Sequence, residues 1–256
     1  MFKIAFFDID WTLYDHKNHR WDEESLDAIK ELKKKGVKCF LCTARNYDSI
    51  KDFGALDLGI EWDGFIGNSG AIGVIEGKTV FEQYMDPKTA YEAVAFLKEH
   101  GVCGEIPYDK ERKLLSPLTE EARHYYNYYV EKVPPIEDYA GKPSMGITVF
   151  AGEEKDPLFK EKFPELIIFR YFKYAFDWVP AMHYKGNPVE KILEHYGFKK
   201  EESVGFGDNF QDISLLEKVG TFYAMGNSDE LLLKASKNVT AAVWDSGVAK
   251  AIKSWF

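Results

Sequence analysis

The stretch Ile4-Ala5-Phe6-Phe7-Asp8-Ile9-Asp10-Trp11-Thr12-Leu13 joins a run of four apolar residues to two aspartates two positions apart. Four apolar residues in a row predict a strand buried in a sheet. Two carboxylates at the end of such a strand raise each other's pKa unless a cation neutralises them. A divalent metal with oxygen ligands is the simplest solution. The start of the chain is therefore a candidate metal-assisted reaction centre.

Outward from this stretch, strands and helices alternate. After the strand predicted over 2–8, the polar segment 11–21 reads as a loop or small hairpin. A helix is predicted over 22–35, with Leu26, Ile29 and Leu32 three apart and Gly36 as its stop. A second strand over 37–42 ends at Thr43, and a helix follows over 47–56. A third strand over 64–67 precedes the turn Asn68-Ser69-Gly70. Runs at 72–75 and 79–83 flank Glu76-Gly77-Lys78 and read as a hairpin. Such alternation predicts a parallel sheet with helices on its faces.

The pattern changes after Tyr84. Helices are predicted over 87–100, 119–130 and 153–163, and strands near 102–107, 145–150, 166–171 and 175–179. This mixed block is large enough for a small domain. Alternation resumes at Lys185, with helices over 187–196, 211–218 and 228–236 and strands over 203–206 and 221–224. The expected fold class is α/β: a Rossmann-like parallel-sheet core (1–81 and 185–256) with an inserted α+β cap domain (82–184). The links near 84–87 and 182–185 are the expected hinges.

Composition narrows the functional classes. The 256 residues are 45% hydrophobic with a net charge of -9. That predicts a packed protein and disfavours a broad nucleic-acid-binding face, which needs clustered Lys and Arg. Small phosphorylated ligands need only a few local cations. No signal peptide or membrane-spanning run is read from the sequence. Cys39 and Cys42 have CxxC spacing but fall within a predicted strand, and they read as buried core thiols. With three Cys in all, no disulfide framework is expected, and a cytoplasmic location is. Gly205-Phe206-Gly207 lacks the third glycine of a dinucleotide loop. His16 and His19 form no zinc motif.

Asp8, Thr43 and Asp208 each end a predicted strand. Ligands of open α/β sheets bind outside the carboxyl ends of the strands, so distant segments converge on one rim. Lys185 precedes a predicted helix and brings an ammonium and a helix N-terminus together, a natural phosphate site.

Asp8-Ile9-Asp10-Trp11-Thr12-Leu13, Thr43, Lys185 and Gly207-Asp208-Asn209-Phe210-Gln211-Asp212 resemble the four signature motifs of the haloacid dehalogenase (HAD) superfamily. The insertion between the second and third resembles the C2-type cap of the Cof-like branch. The resemblance implies a phosphatase acting on a small phosphorylated metabolite with Mg2+. It implies Asp8 as nucleophile, Asp10 as acid and then base, and Lys185 as the cation offsetting Asp8 and the phosphoryl group. Thr43, with Ala44 and Lys185, would bind the phosphoryl group. Asp8, Asp208 and the backbone carbonyl of Asp10 would hold the metal, supported by Asn209 and Asp212. A phosphomutase and a catalytically weak binding protein are the alternatives.

Two residues depart from the family pattern. Trp11 stands where related phosphatases usually have Gly, and Gln211 where they usually have Asn. Arg45 is read as a surface ion pair rather than a substrate contact. Tyr125, Tyr126, Tyr128 and Tyr129 read as cap core and surface.

Overall fold

In a computed structural model describing residues 2–255, the chain divides into two compact units. The first comprises the chain up to Arg45, Gly54–Glu82, and the chain from Tyr184 onward. The second comprises Asn46–Phe53 and Gln83–His183.

The first unit is built on an eight-stranded sheet. Its order is Asn238–Val239, Thr221–Ala224, Ser203–Gly207, Ile4–Phe7, Lys38–Cys42, Gly64–Gly67, Ile72–Ile75, Lys78–Glu82. The first six strands run parallel, and each of the last two pairs antiparallel with the strand before it. Ile4–Phe7 lies at the centre, and all four of its residues are fully buried. A continuous apolar run is what a strand covered on both faces requires. Phe7 is in register with both Leu41 and Phe206. Three central strands therefore end level, and Asp8, Thr43 and Asp208 follow those ends.

Helices complete this unit. Glu23–Lys34 begins at Asp22, whose side chain caps Ser25 N. Its first turn is acidic and its last turn basic, both favourable to the helix dipole. Leu26, Ile29 and Leu32 face inward. Val189–Tyr196 starts two residues later than predicted, because a residue before proline disfavours helical backbone and Pro188 follows Asn187. The predicted helix over 211–218 opens with a 3-10 turn at Phe210–Asp212 before Ile213–Lys218. The short strand Asn238–Val239 and the helix Gly247–Lys253 had no clear sequence signal.

The second unit is a five-stranded antiparallel sheet ordered Leu166–Phe172, Ala175–Pro180, Ile147–Phe150, Cys103–Pro107, Arg112–Leu114. Side chains alternate across it. Val149, Phe176 and Trp178 join one core with Phe96 and Phe159, from helices Pro87–Glu99 and Asp156–Lys162. Phe150 and Ala175 join another with Tyr125, Tyr126 and Tyr129, from Glu120–Tyr128 and its cap. The tyrosine cluster is thus core, with Tyr128 packed against its edge. Cys39 and Cys42 are buried in their strand, and burial pushes both thiols well up, so they are inert. Among the described residues, no helix is long and apolar enough to cross a membrane.

Candidate active site

The level strand ends bring the predicted residues together in the first unit. Asp8 follows Phe7 directly, and its N–H donates to Phe206 O (3.1 Å). Lys185 Nζ lies 2.8 Å from Asp8 Oδ1 and 2.8 Å from Asp212 Oδ1. All three side chains are buried. Burial and the nearby Asp212 and Asp10 push Asp8 up to about 7 against the opposing pull of Lys185. Burial, Asp8 and Asp212 push Asp208 well above the usual carboxylate range. Lys185 desolvation is outweighed by Asp212 and Asp8, so its ammonium stays charged.

Asp212 organises this end of the site. Its Oδ2 accepts from Asp208 N (3.1 Å) and Asn209 N (3.0 Å). That folds the loop after Ser203–Gly207 back on itself. A Cβ on Gly207 would lie 2.4 Å from Asp212 Cγ, so only glycine fits there. Gly186 is fixed likewise, since its Cβ would meet Ser214 O at 2.2 Å. Its N–H donates to Ser214 Oγ (3.2 Å), which anchors the backbone next to Lys185.

Thr43 is buried, and its hydroxyl accepts from Arg45 N (3.1 Å). That leaves the hydroxyl proton to donate elsewhere. Ala44 lies half-buried between them.

Arg45 overturns its sequence reading. It is buried, and it grips the Asp10 carboxylate with two bonds, Nε to Oδ2 (2.9 Å) and Nη2 to Oδ1 (2.7 Å). Only the register of Lys38–Cys42 beside Ile4–Phe7 brings these residues together. His16, read as a loop residue, is also buried, with Nε2 2.7 Å from Asp10 Oδ1. Burial alone would raise the pKa of Asp10, but Arg45 and His16 outweigh it and hold the carboxyl well below the usual range.

The donor chemistry fits a hard divalent cation. Oxygens of Asp8, Asp208 and Asp212 lie within 4.8 Å of one another. Both Asp212 oxygens already serve Lys185 and the loop amides. Three donors from Arg45 and His16 already engage the Asp10 carboxylate, so its backbone carbonyl is the group it could offer a cation. Asp8 and Asp208 are then the carboxylates left to face a cation, and Mg2+ prefers such oxygen ligands.

Trp11 has a left-handed backbone (φ 61°). Its carbonyl accepts from Asn227 Nδ2 (2.9 Å). Among the described residues Gln211 Nε2 has no hydrogen-bond partner although it is buried, as expected of a side chain one methylene longer than the family's Asn.

A model of the haloacid dehalogenase-like hydrolases matches residues 5–252. The chain belongs to this family. A Bacillus subtilis (strain 168) protein named "Putative phosphatase YkrA" is 26% identical over 98% of this chain and 96% of its own length. The pyridoxal phosphate phosphatase YbhA of Escherichia coli (strain K12) is 25% identical over 93% of this chain and 92% of its own. A solved structure described as the HAD subclass IIB sugar phosphatase BT4131 is 26% identical. It superposes with a TM-score of 0.88 and covers 99% of this chain and 98% of that one. This HAD-like hydrolase is thus an enzyme, a phosphatase of small phosphorylated substrates.

Proposed function

We propose that the chain is a Mg2+-dependent phosphatase that hydrolyses small phosphomonoesters through an aspartyl-phosphate on Asp8. The observation that carries this reading is the Lys185 ammonium set between Asp8 and Asp212, with Asp10 held apart by Arg45. One carboxylate thereby keeps company with a cation suited to an arriving phosphate. The other is fixed for proton transfer.

In the first half of the reaction Asp8 attacks phosphorus and the bond to the leaving oxygen breaks. Asp10 gives that oxygen a proton. The arriving phosphoryl anion favours protonation of Asp10, because like charges oppose ionisation. In the second half Asp10 takes a proton from water as the water attacks phosphorus, and the bond to Asp8 breaks. Thr43 donates to a phosphoryl oxygen, Ala44 lies alongside, and Lys185 offsets charge. Asp8, Asp208 and the Asp10 carbonyl would hold Mg2+, which would supply the remaining charge neutralisation that phosphoryl transfer chiefly needs. Asn209 and Asp212 support that loop.

The Gln83–His183 part of the second unit is read as the C2-type cap (82–184) inserted into the core (1–81 and 185–256). It is assigned the choice of leaving group. Its support is its own antiparallel sheet and its place between Thr43 and Lys185 in sequence. The candidate substrates are sugar phosphates, nucleotides and phosphorylated cofactors. The names of the pyridoxal phosphate and sugar phosphatase relatives favour the first and last.

The test is phosphate release from an aryl phosphate, with and without Mg2+, by wild type and Asp8→Asn. Mg2+-dependent release that Asp8→Asn abolishes is the expected result. Release that survives Asp8→Asn sinks the mechanism.

A further inference from the structure

His16 lies outside all four family motifs. Its side chain is wholly buried, and its Nε2 is 2.7 Å from Asp10 Oδ1. The imidazole packs against two aromatic rings, Trp11 (centroids 5.4 Å apart) and Tyr14 (4.8 Å, edge-on). The backbone just beyond it is pinned by Asp15, whose Oδ1 accepts from Lys17 N (2.9 Å) and Asn18 N (3.2 Å). Trp11 holds its indole against His16 from a left-handed backbone that bulky residues avoid. Glycine in its place would remove the strain and the ring together.

The hydrogen bonds make the two Asp10 oxygens inequivalent. A carboxylate only accepts, so His16 donates through Nε2–H. Oδ1 therefore receives two donors, His16 Nε2 and Arg45 Nη2, which fills its two lone pairs. Among the described residues Oδ2 receives only Arg45 Nε, which leaves it one lone pair open.

We propose that His16, held in place by Trp11, is a positioning residue that saturates Asp10 Oδ1 and so assigns proton transfer to Oδ2. This rests on the reading of Asp10 as the acid and base of an Asp8-dependent phosphatase. The step itself balances as before. The proton on Oδ2 passes to the leaving oxygen as its bond to phosphorus breaks, and Oδ2 later takes a proton from water. Without His16 each oxygen carries one bond from Arg45 and one open lone pair, so either can take the proton.

The test compares kcat/KM, which reports the first phosphoryl transfer, for two substrates. Glycerol phosphate releases an alkoxide that needs a proton. 4-Nitrophenyl phosphate releases a stable anion that does not. His16→Phe keeps a ring but has no donor. It should lose roughly 10- to 100-fold on glycerol phosphate, and less than about 3-fold on 4-nitrophenyl phosphate. His16→Gln, which places an N–H near Nε2, should recover most of the loss. Equal losses on both substrates, no loss on either, or failure of His16→Gln to recover would overturn the proposal. If His16→Phe does not fold, His16→Met takes its place under the same criteria. The underlying phosphatase reading fails separately, when Asp8→Asn leaves phosphate release intact.

Discussion

Asp8 and Asp10 are the same residue type two positions apart, yet their surroundings drive their pKa values in opposite directions. Asp8 is pushed up to about 7 by burial and neighbouring carboxylates, with one ammonium in opposition. Asp10 is held down by a two-bond guanidinium and an imidazole. The two thereby acquire distinct characters from one chemistry. Trp11 follows Asp10 directly, at φ 61°. A non-glycine residue there costs about 1–2 kcal/mol of backbone strain. Trp11→Gly and Trp11→Ala both remove the indole, but only glycine relieves the backbone. Urea unfolding should therefore place Trp11→Gly above Trp11→Ala by about 1 kcal/mol. Equal stabilities would show that the left-handed backbone is not retained in solution.

The candidate site residues lie at strand ends and on the loops that follow them. In the second unit, a buried charge network joins several elements. Arg112 donates to Glu105 (3.2 Å) and to Glu131, and Tyr126 donates to Glu105. Ser49 Oγ, from the helix Tyr47–Asp52, donates to Glu131 (2.7 Å). One guanidinium serves two carboxylates, and burial pushes Glu105 up to about 7 despite Arg112. An acid whose folded pKa is raised binds its proton more tightly in the folded chain. Its stabilising contribution is full below the ordinary Glu value of 4.5 and is lost as pH rises through about 7. Glu105→Gln can still accept from Arg112 and Tyr126 without ionising. Relative to wild type it should gain roughly 1–3 kcal/mol between about pH 5 and about pH 8, read from urea midpoints. A constant difference across that range would mean that Glu105 ionises at its ordinary value.

The chain as a whole balances stability against charge at the carboxyl ends of the central strands of its main sheet. Asp8, Asp208 and Asp212 crowd together with Lys185 as their shared cation. Without added metal, Asp208→Asn removes a repelling charge and should be at least as stable as wild type. A ligand that binds only the folded state adds about 2.7 kcal/mol at a hundredfold excess over its Kd. For a protein of this size that corresponds to a rise in Tm of roughly 5 °C. Saturating Mg2+ should raise wild type by that amount and leave Asp208→Asn unmoved, reversing their order, and a chelator should restore it. A Mg2+ shift of equal size in both would place the cation elsewhere.

Most of the sheet-forming strands, the change of pattern after Tyr84 and the residues Asp8, Thr43, Lys185 and Asp208 were legible in the sequence. Each is encoded locally, in an apolar run, a helical repeat, or a polar residue at a strand end. The strand Arg112–Leu114 was not legible, because three mixed residues carry no periodicity and depend on pairing with Cys103–Pro107. Nor was the helix Tyr47–Asp52 separable from the first unit, since its attachment runs through Ser49 to Glu131, 82 residues away. The surface reading of Arg45 failed, and the burial of His16 within its loop was not legible, for a related reason. A lone arginine after a strand and a histidine in a polar loop look solvent-exposed. Their burial follows from the parallel register of two strands and from the packing of Trp11 and Tyr14. Sequence determined which groups are present and that they meet at strand ends, since periodicity and strand order are local properties. Only the tertiary structure decided which oxygen of Asp10 each neighbour holds, because hydrogen-bond geometry is set by side chains that the chain brings together from afar.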